Sequence, residues 1–436
     1  MAPLNDDIIL LVSEHMDDQR DGLRLLQVCR RWYSLLLPRV YKRISLFNQQ
    51  IYLLARSIKA NPKIGAAIRD LDLHWWSGPL RTKHYDLDMF METIQQTSHS
   101  KPDRQRWENA LRQGCPDAWL AVLVLSLESV TTLCMLFPGW SPYFIPLVTQ
   151  IAAQKEPFDS HPVLQNLETV TAWSEEDEFF YHEIDFRAFF YLPAMKELSV
   201  QHILAAEVQR SFSIAPALGT SGIRKIQLEG MAEGGKGNQI ASCANLEIFD
   251  YHHSQHPIWG SLAPGIYEAL TTQRHSLQVL RLRDSHELPS ILWNEEFEPF
   301  ELPGPAEFGS LAEFSQLREL RIPVFLLLRF DFNILPRVSL PEVLPSSLQH
   351  LNLTHCFEYA FTIVAKNLEL LLAQQKERFP NLGNLEVQSN DFVLVPEASS
   401  AHPANQLVPA STPQAFVPVE MLCRRLGIQF KLSNLS

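Results

Sequence analysis

The residues best suited to chemistry in this chain sit in one short run, Asp250-Tyr251-His252-His253-Ser254-Gln255-His256. His252 and His256 have the H-x-x-x-H spacing that zinc sites favour, together with two further ligands. No cysteine pair and no second histidine pair accompanies them, so the run reads as a polar strand end and turn. A solenoid enzyme centred on these histidines is the alternative that the run would support. No G-x-S-x-G, phosphate-binding loop, strand-borne G-x-G-x-x-G or H-E-x-x-H occurs. Gly234-Gly235-x-Gly237 lacks the Lys-Ser/Thr of a phosphate loop and reads as a plain loop. The six cysteines, at 29, 115, 134, 243, 356 and 423, never form C-x-x-C. They read as buried free thiols in a reducing compartment. Cys29 falls within an apolar stripe, where burial makes a thiol inert. No catalytic residue, metal ligand or cofactor is assigned, and the chain is read as a binding protein with no enzyme activity.

The elements that would position these side chains recur. Ile68-x-x-Leu71-x-Leu73 is an apolar triplet with spacing three then two, and it returns nine times, with first positions at Val130, Leu167, Met195, Ile223, Leu246, Leu277, Leu317, Leu348 and Leu382. The last two residues of each triplet alternate on a short strand and point inward, and the first closes the turn into it. This is similar to the strand half of a leucine-rich repeat, whose Asn or Cys bend residue is present in two copies, as Cys356 and as Asn390 with Phe392. The triplets lie 23 to 62 residues apart, against about 20–29 in regular repeats, so the array is irregular and the first gap has room for a degenerate copy. Helical patterns fall between them at 87–96, 117–127, 264–273 and 361–379. The expected fold is α/β, with parallel strands, one helix per repeat and right-handed crossovers.

Before the array lies an amphipathic segment. Leu25, Val28, Trp32 and Leu35 fall at i, i+3, i+7 and i+10, one stripe of a 3.6-residue period, widened by Cys29 and Leu36. Pro38 is expected to stop the helix. The segment continues as V-C-R-x-W-x-x-L-x-x-P-x-V-Y-K-x-I from Val28 to Ile44, and it is preceded by Leu4-Asn5-Asp6-Asp7-Ile8-Ile9-Leu10-Leu11-Val12. Residues 3–46 resemble the F-box. Asn5 stands where that family prefers proline, and it can serve instead as the helix N-cap. The resemblance implies docking on the Skp adaptor, and through it on a cullin, by Leu4, Ile8, Ile9, Val12, Val28, Cys29, Trp32, Leu35 and Pro38. Irregular repeats of this kind also resemble those that follow the F-box in fungal members of the family.

Charge sets further bounds. The net charge is −12, from 37 basic and 49 acidic residues, which argues against nucleic acid or an anionic membrane as partner. Residues 20–43 carry seven basic groups against Asp21 alone, which suits the acidic adaptor implied by the resemblance. No N-terminal signal or membrane-length apolar run is present, so the expected location is cytoplasmic or nuclear.

The residue between the two inward positions of each triplet faces the concave surface. That column includes Asp250, Arg281, Arg321 and Asn352, and its flanks add Arg283, Arg318 and His350. Together they form a candidate surface for an acidic or phosphorylated client segment. The organisation expected is an F-box at 1–46, a linker helix at 47–64, a solenoid at 65–395, a flexible Pro/Ala/Ser-rich loop at 396–418 and a capping helix and strand at 419–436. The expected function is that of the substrate-recognition subunit of a Skp–cullin–F-box ubiquitin ligase, with a Skp-binding scaffold lacking ligase activity as the alternative.

Overall fold

The apolar triplets become the strands. The computed structural model describes residues 5–16, 19–74, 79–80, 84–98, 100–136, 141–173, 186–201, 217–230, 236–253, 259–284, 308–328, 336, 338–389, 394–396, 407–409 and 413–434. These divide into two compact units, Met1–Val200 and Gln201–Ser436.

In the first unit three helices come first: α1 (Asp6–Glu14), α2 (Gln19–Leu26) and α3 (Arg30–Val40). Asn5 caps α1 by accepting the Asp7 N–H at 3.3 Å. The Leu25–Leu35 stripe does not lie on one helix: Leu25 belongs to α2, Val28 to the turn after it, and Trp32 and Leu35 to α3. Pro38 does not end α3 either. It removes one N–H, but burial of Leu36 and Leu37 and the Tyr41 N–H to Leu37 bond carry the last turn past it. Strand β1 (Arg43–Phe47) follows, then α4 (Ile51–Ala60), α5 (Pro62–Ala67) and β2 (Asp70–His74). The long gap after β2 holds α6 (Met91–Thr97), α7 (Lys101–Arg112) and α8 (Pro116–Val124), and no further strand among its described residues. Strand β3 (Thr132–Leu136), α9 (Phe144–Ala152), β4 (Thr169–Trp173) and β5 (Glu197–Gln201) complete the unit, in sheet order β1-β2-β3-β4-β5.

The registers follow the triplets. Ile44 and Leu46 lie opposite Leu71 and Leu73, which lie opposite Leu133 and Met135. Strand β1 is an eleventh copy whose first position is Tyr41. Under the strands, Tyr52, Phe90 and Trp119 pack edge to face, with ring centroids about 5 Å apart, and the Trp119 indole N–H donates to the Leu111 carbonyl.

The second unit has β6 (Lys225–Gly230), α10 (Lys236–Ser242), β7 (Ile248–His253), α11 (Trp259–Thr271), β8 (Val279–Asp284), β9 (Glu319–Pro323), α12 (Val324–Leu328), α13 (Leu340–Val343), β10 (His350–Thr354), α14 (Phe361–Ala373), α15 (Gln375–Arg378) and β11 (Asn384–Gln388). Strands β12 (Leu394–Pro396) and β13 (Leu407–Pro409) form a separate antiparallel pair, and α16 (Val417–Leu426) leads to β14 (Gln429–Ser433). The parallel order is β6-β7-β8-β9-β10-β11-β14. Gly427, left-handed at φ 73°, ends α16 and turns the chain into β14. The loop expected over 396–418 is ordered at its end, where Phe416 is fully buried. The rule of one helix per repeat also fails. Only a 3-10 turn stands among the described residues between β4 and β5, whereas α12 and α13 share one connection.

Candidate partner-binding surfaces

Two surfaces carry the predicted site residues, one in each unit. In the helical module, Ile9, Leu26, Leu36 and Leu37 are buried, and ion pairs Arg31–Asp6 and Arg39–Glu14 tie α3 to α1. Other apolar side chains are left open. Ile8 is 47% exposed, Val12 52% and Val28 59%. Ile8 and Val12 stand four apart on α1, so they share one face, and Leu11, also open, widens it. Sequence reasoning missed Leu11, although its spacing from Ile8 was there to be read.

Trp32 and Leu35 are half-buried. Leu35 and Pro38, with Leu10, Leu25, Leu36 and Ile44, line a cleft of about 1040 Å³ between the helices and the first two strands, whose polar wall includes Asp70 and Asp72. Ile9 is core, and Leu4 lies outside the described residues. Cys29 corrects the expectation of an inert buried thiol: it is exposed, at the N-cap of α3. Cys243 and Cys423 are buried, which pushes their thiols up to about 12 and about 11. The basic character expected at this end is also smaller than it looked. Over 1–46 the seven basic residues face six acidic ones, and Arg24, Arg31 and Arg39 are already paired with Asp21, Asp6 and Glu14.

In the second unit the ladders place Gln227, Asp250, Arg281, Arg321, Asn352, Glu386 and Lys431 side by side across the polar face. Asp250, only 3% exposed, receives two bonds from Arg283, at 3.0 and 2.8 Å, and has Arg281 at 3.6 Å. Arg281 also donates to Glu319 at 2.6 Å, and that bond, with the nearby carboxylates, holds its proton more tightly than usual. Burial pushes the Glu386 carboxyl up, but Ser433, Gln388 and Lys431 outweigh it and leave it below the usual range. Asp250 is therefore internal to the network and unavailable to a partner. Arg318 is exposed in the turn before β9, and His350 bonds to Asn384 at the strand's start. Neither joins the guanidinium group formed by Arg281, Arg283 and Arg321.

The histidine run is split by the strand. His252 lies on the polar face with Nδ1 3.1 Å from Glu229, whereas His253 is buried beside the Tyr251 hydroxyl at 2.9 Å. Burial lowers the His252 pKa, against the opposing pull of Glu229. His256 lies outside the described residues, and no group of three His, Cys, Asp or Glu among the described residues is placed to hold a metal. The turn at 234–235 and the bend residues Asn390 and Phe392 also lie outside them. No helix among the described residues is long and apolar enough to cross a membrane.

Residues 87–405 match the family described as Leucine-rich repeat domain. The chain belongs to this leucine-rich-repeat family. The match begins after β2 and takes in β3 to β12. A comparison with curated proteins found no match to the chain. A leucine-rich-repeat domain is a protein-binding scaffold, and the polar strand face is the part of this one whose side chains stand in ordered columns.

Proposed function

We propose that this leucine-rich-repeat protein is the substrate-recognition subunit of a Skp–cullin–F-box ubiquitin ligase, with α1–α3 docking the adaptor and the repeats holding the client. The observation that carries the reading is the open apolar set Ile8, Leu11, Val12 and Val28, each at least 47% exposed, on a module whose buried core is Ile9, Leu26, Leu36 and Leu37. Apolar exposure of this kind, three side chains on α1 and a fourth in the turn after α2, marks interaction sites. Covering side chains that are about half exposed returns roughly 1 kcal/mol each. The F-box resemblance of residues 3–46 supplies the identity of the cover.

In this reading the protein does no bond chemistry. It raises the effective concentration of client lysines near the ubiquitin-charged enzyme. The test is co-purification with recombinant Skp adaptor, followed by reconstituted ubiquitylation with a cullin. The intact chain should retain the adaptor, and Val12→Asp with Val28→Asp should lose it while unfolding at the same temperature. Retention by the double variant, or no retention by the intact chain, would sink the reading.

A further inference from the structure

We infer that Arg321, with Arg283 beside it, receives an oxyanion from the client, either a carboxylate or a phosphate on an extended segment. Arg281 and Arg321 lie directly opposite each other on β8 and β9, an arrangement in which like charges repel. The two arginines of β8 have counterions: Arg283 is held by Asp250, and Arg281 by Glu319. Arg321 has no carboxylate within 4 Å among the described residues. Its Nη2 donates to the amide oxygen of Gln388 at 3.0 Å, and its Nε is buried with no partner among the described residues. The nearest acid further along the face, Glu386, is already occupied by Asn352, Gln388, Ser433 and Lys431.

A half-buried guanidinium with no carboxylate in contact among the described residues, only the more distant pull of Glu386 and Asp250, is costly to keep. An arginine in that state is suited to a planar oxyanion, which accepts two parallel N–H bonds. Burial, and after it the charge of Arg283, already weaken the hold of Arg321 on its proton. The charge of a bound anion offsets both, and it also serves Arg283.

This proposal rests on the repeat face being the client surface. It does not involve the adaptor, so adaptor co-purification with Arg321→Gln separates its failure from failure of the ligase reading. The test uses the full chain and three short acetylated peptides, alike except for a central pair of glutamates, phosphoserines or glutamines. Binding is read by calorimetry at low salt. The glutamate or the phosphoserine peptide, or both, should bind, which also names the oxyanion, and the glutamine peptide should not. Arg321→Gln should weaken binding about tenfold or more, while Arg425→Gln, the same charge change on exposed α16, leaves it unchanged. Without peptide, Arg321→Gln should unfold at the same or a higher temperature than the parent. Equal peptide binding by Arg321→Gln and the parent, no binding of either acidic peptide, or a lower unfolding temperature for Arg321→Gln would each overturn the proposal.

Discussion

Asp117 shows how one buried side chain can make a solenoid sensitive to pH. Its carboxylate accepts the Ser141 hydroxyl at 2.6 Å and the Tyr143 N–H at 2.7 Å, and so fastens α8 to the start of α9. Burial pushes its pKa up from 3.8 to about 6, although those donors pull the other way. The folded state therefore takes up the proton before the unfolded chain does. Stability gained from this group is full below about pH 4 and is lost as pH rises through about 6, a swing of roughly 3 kcal/mol. Denaturant unfolding from pH 4 to pH 7 should show Asp117→Asn gaining on the parent by about that amount as pH rises, and a constant difference would refute the assignment. The helical module offers a second contrast. Ile9→Ala should cost about 2–5 kcal/mol of stability, because Ile9 is 2% exposed. Val12→Asp should leave the unfolding midpoint nearly unchanged and act only on partner binding. At this scale the sequence was partly legible: spacing placed Arg281 and Arg321 side by side, but it could not show that Glu319 contacts one and that no carboxylate of the described residues contacts the other. Among the described residues Arg321 lacks only a direct carboxylate contact, since Glu386 and Asp250 still attract it from further off, and which rotamers reach across the ladder decides this.

Elements were easiest to read where packing repeats. Each triplet became a strand, because two inward residues at spacing two fix which face is buried, and a slip by one residue would expose both. Strand β1 was missed because its first position is Tyr41 and its inward residues Ile44 and Leu46 were absorbed into the helical motif before it. Helices α7 and α9 were missed for a different reason: their apolar residues pack against α8, which is buried on every side, so neighbours decide their placement more than their own period does. Helix α5 makes the close packing measurable. A Cβ on Gly65 would come 2.5 Å from the Ser126 carbonyl oxygen and 2.8 Å from Ile58. The first of these is backbone and cannot swing aside. Gly65→Ala should therefore destabilise the first unit by about 1–3 kcal/mol despite the better helix propensity of alanine. An unchanged or raised unfolding midpoint would show that α5 can lift off the α8 end at little cost.

At the scale of the whole molecule the charge pattern separates the two proposed interactions. A net charge of −12 keeps the chain soluble and repels acidic partners at long range. An acidic adaptor can dock only where local contact outweighs that field, and the helical module is nearly balanced, with Arg24, Arg31 and Arg39 of its seven cations already in ion pairs within it. Its open residues are apolar. Adaptor affinity should then change by less than about threefold between 50 and 500 mM NaCl, since screening removes weak repulsion and weak attraction together. The Arg321 face should behave in the opposite way. Its anion contact is electrostatic and half-exposed, so peptide binding should fall about tenfold or more over the same range. Measuring both by calorimetry on one preparation gives each an internal control. If adaptor affinity fell as steeply as peptide affinity, the docking would be carried by arginines of α2 and α3 such as Arg30, and the apolar face of α1 would lose its role.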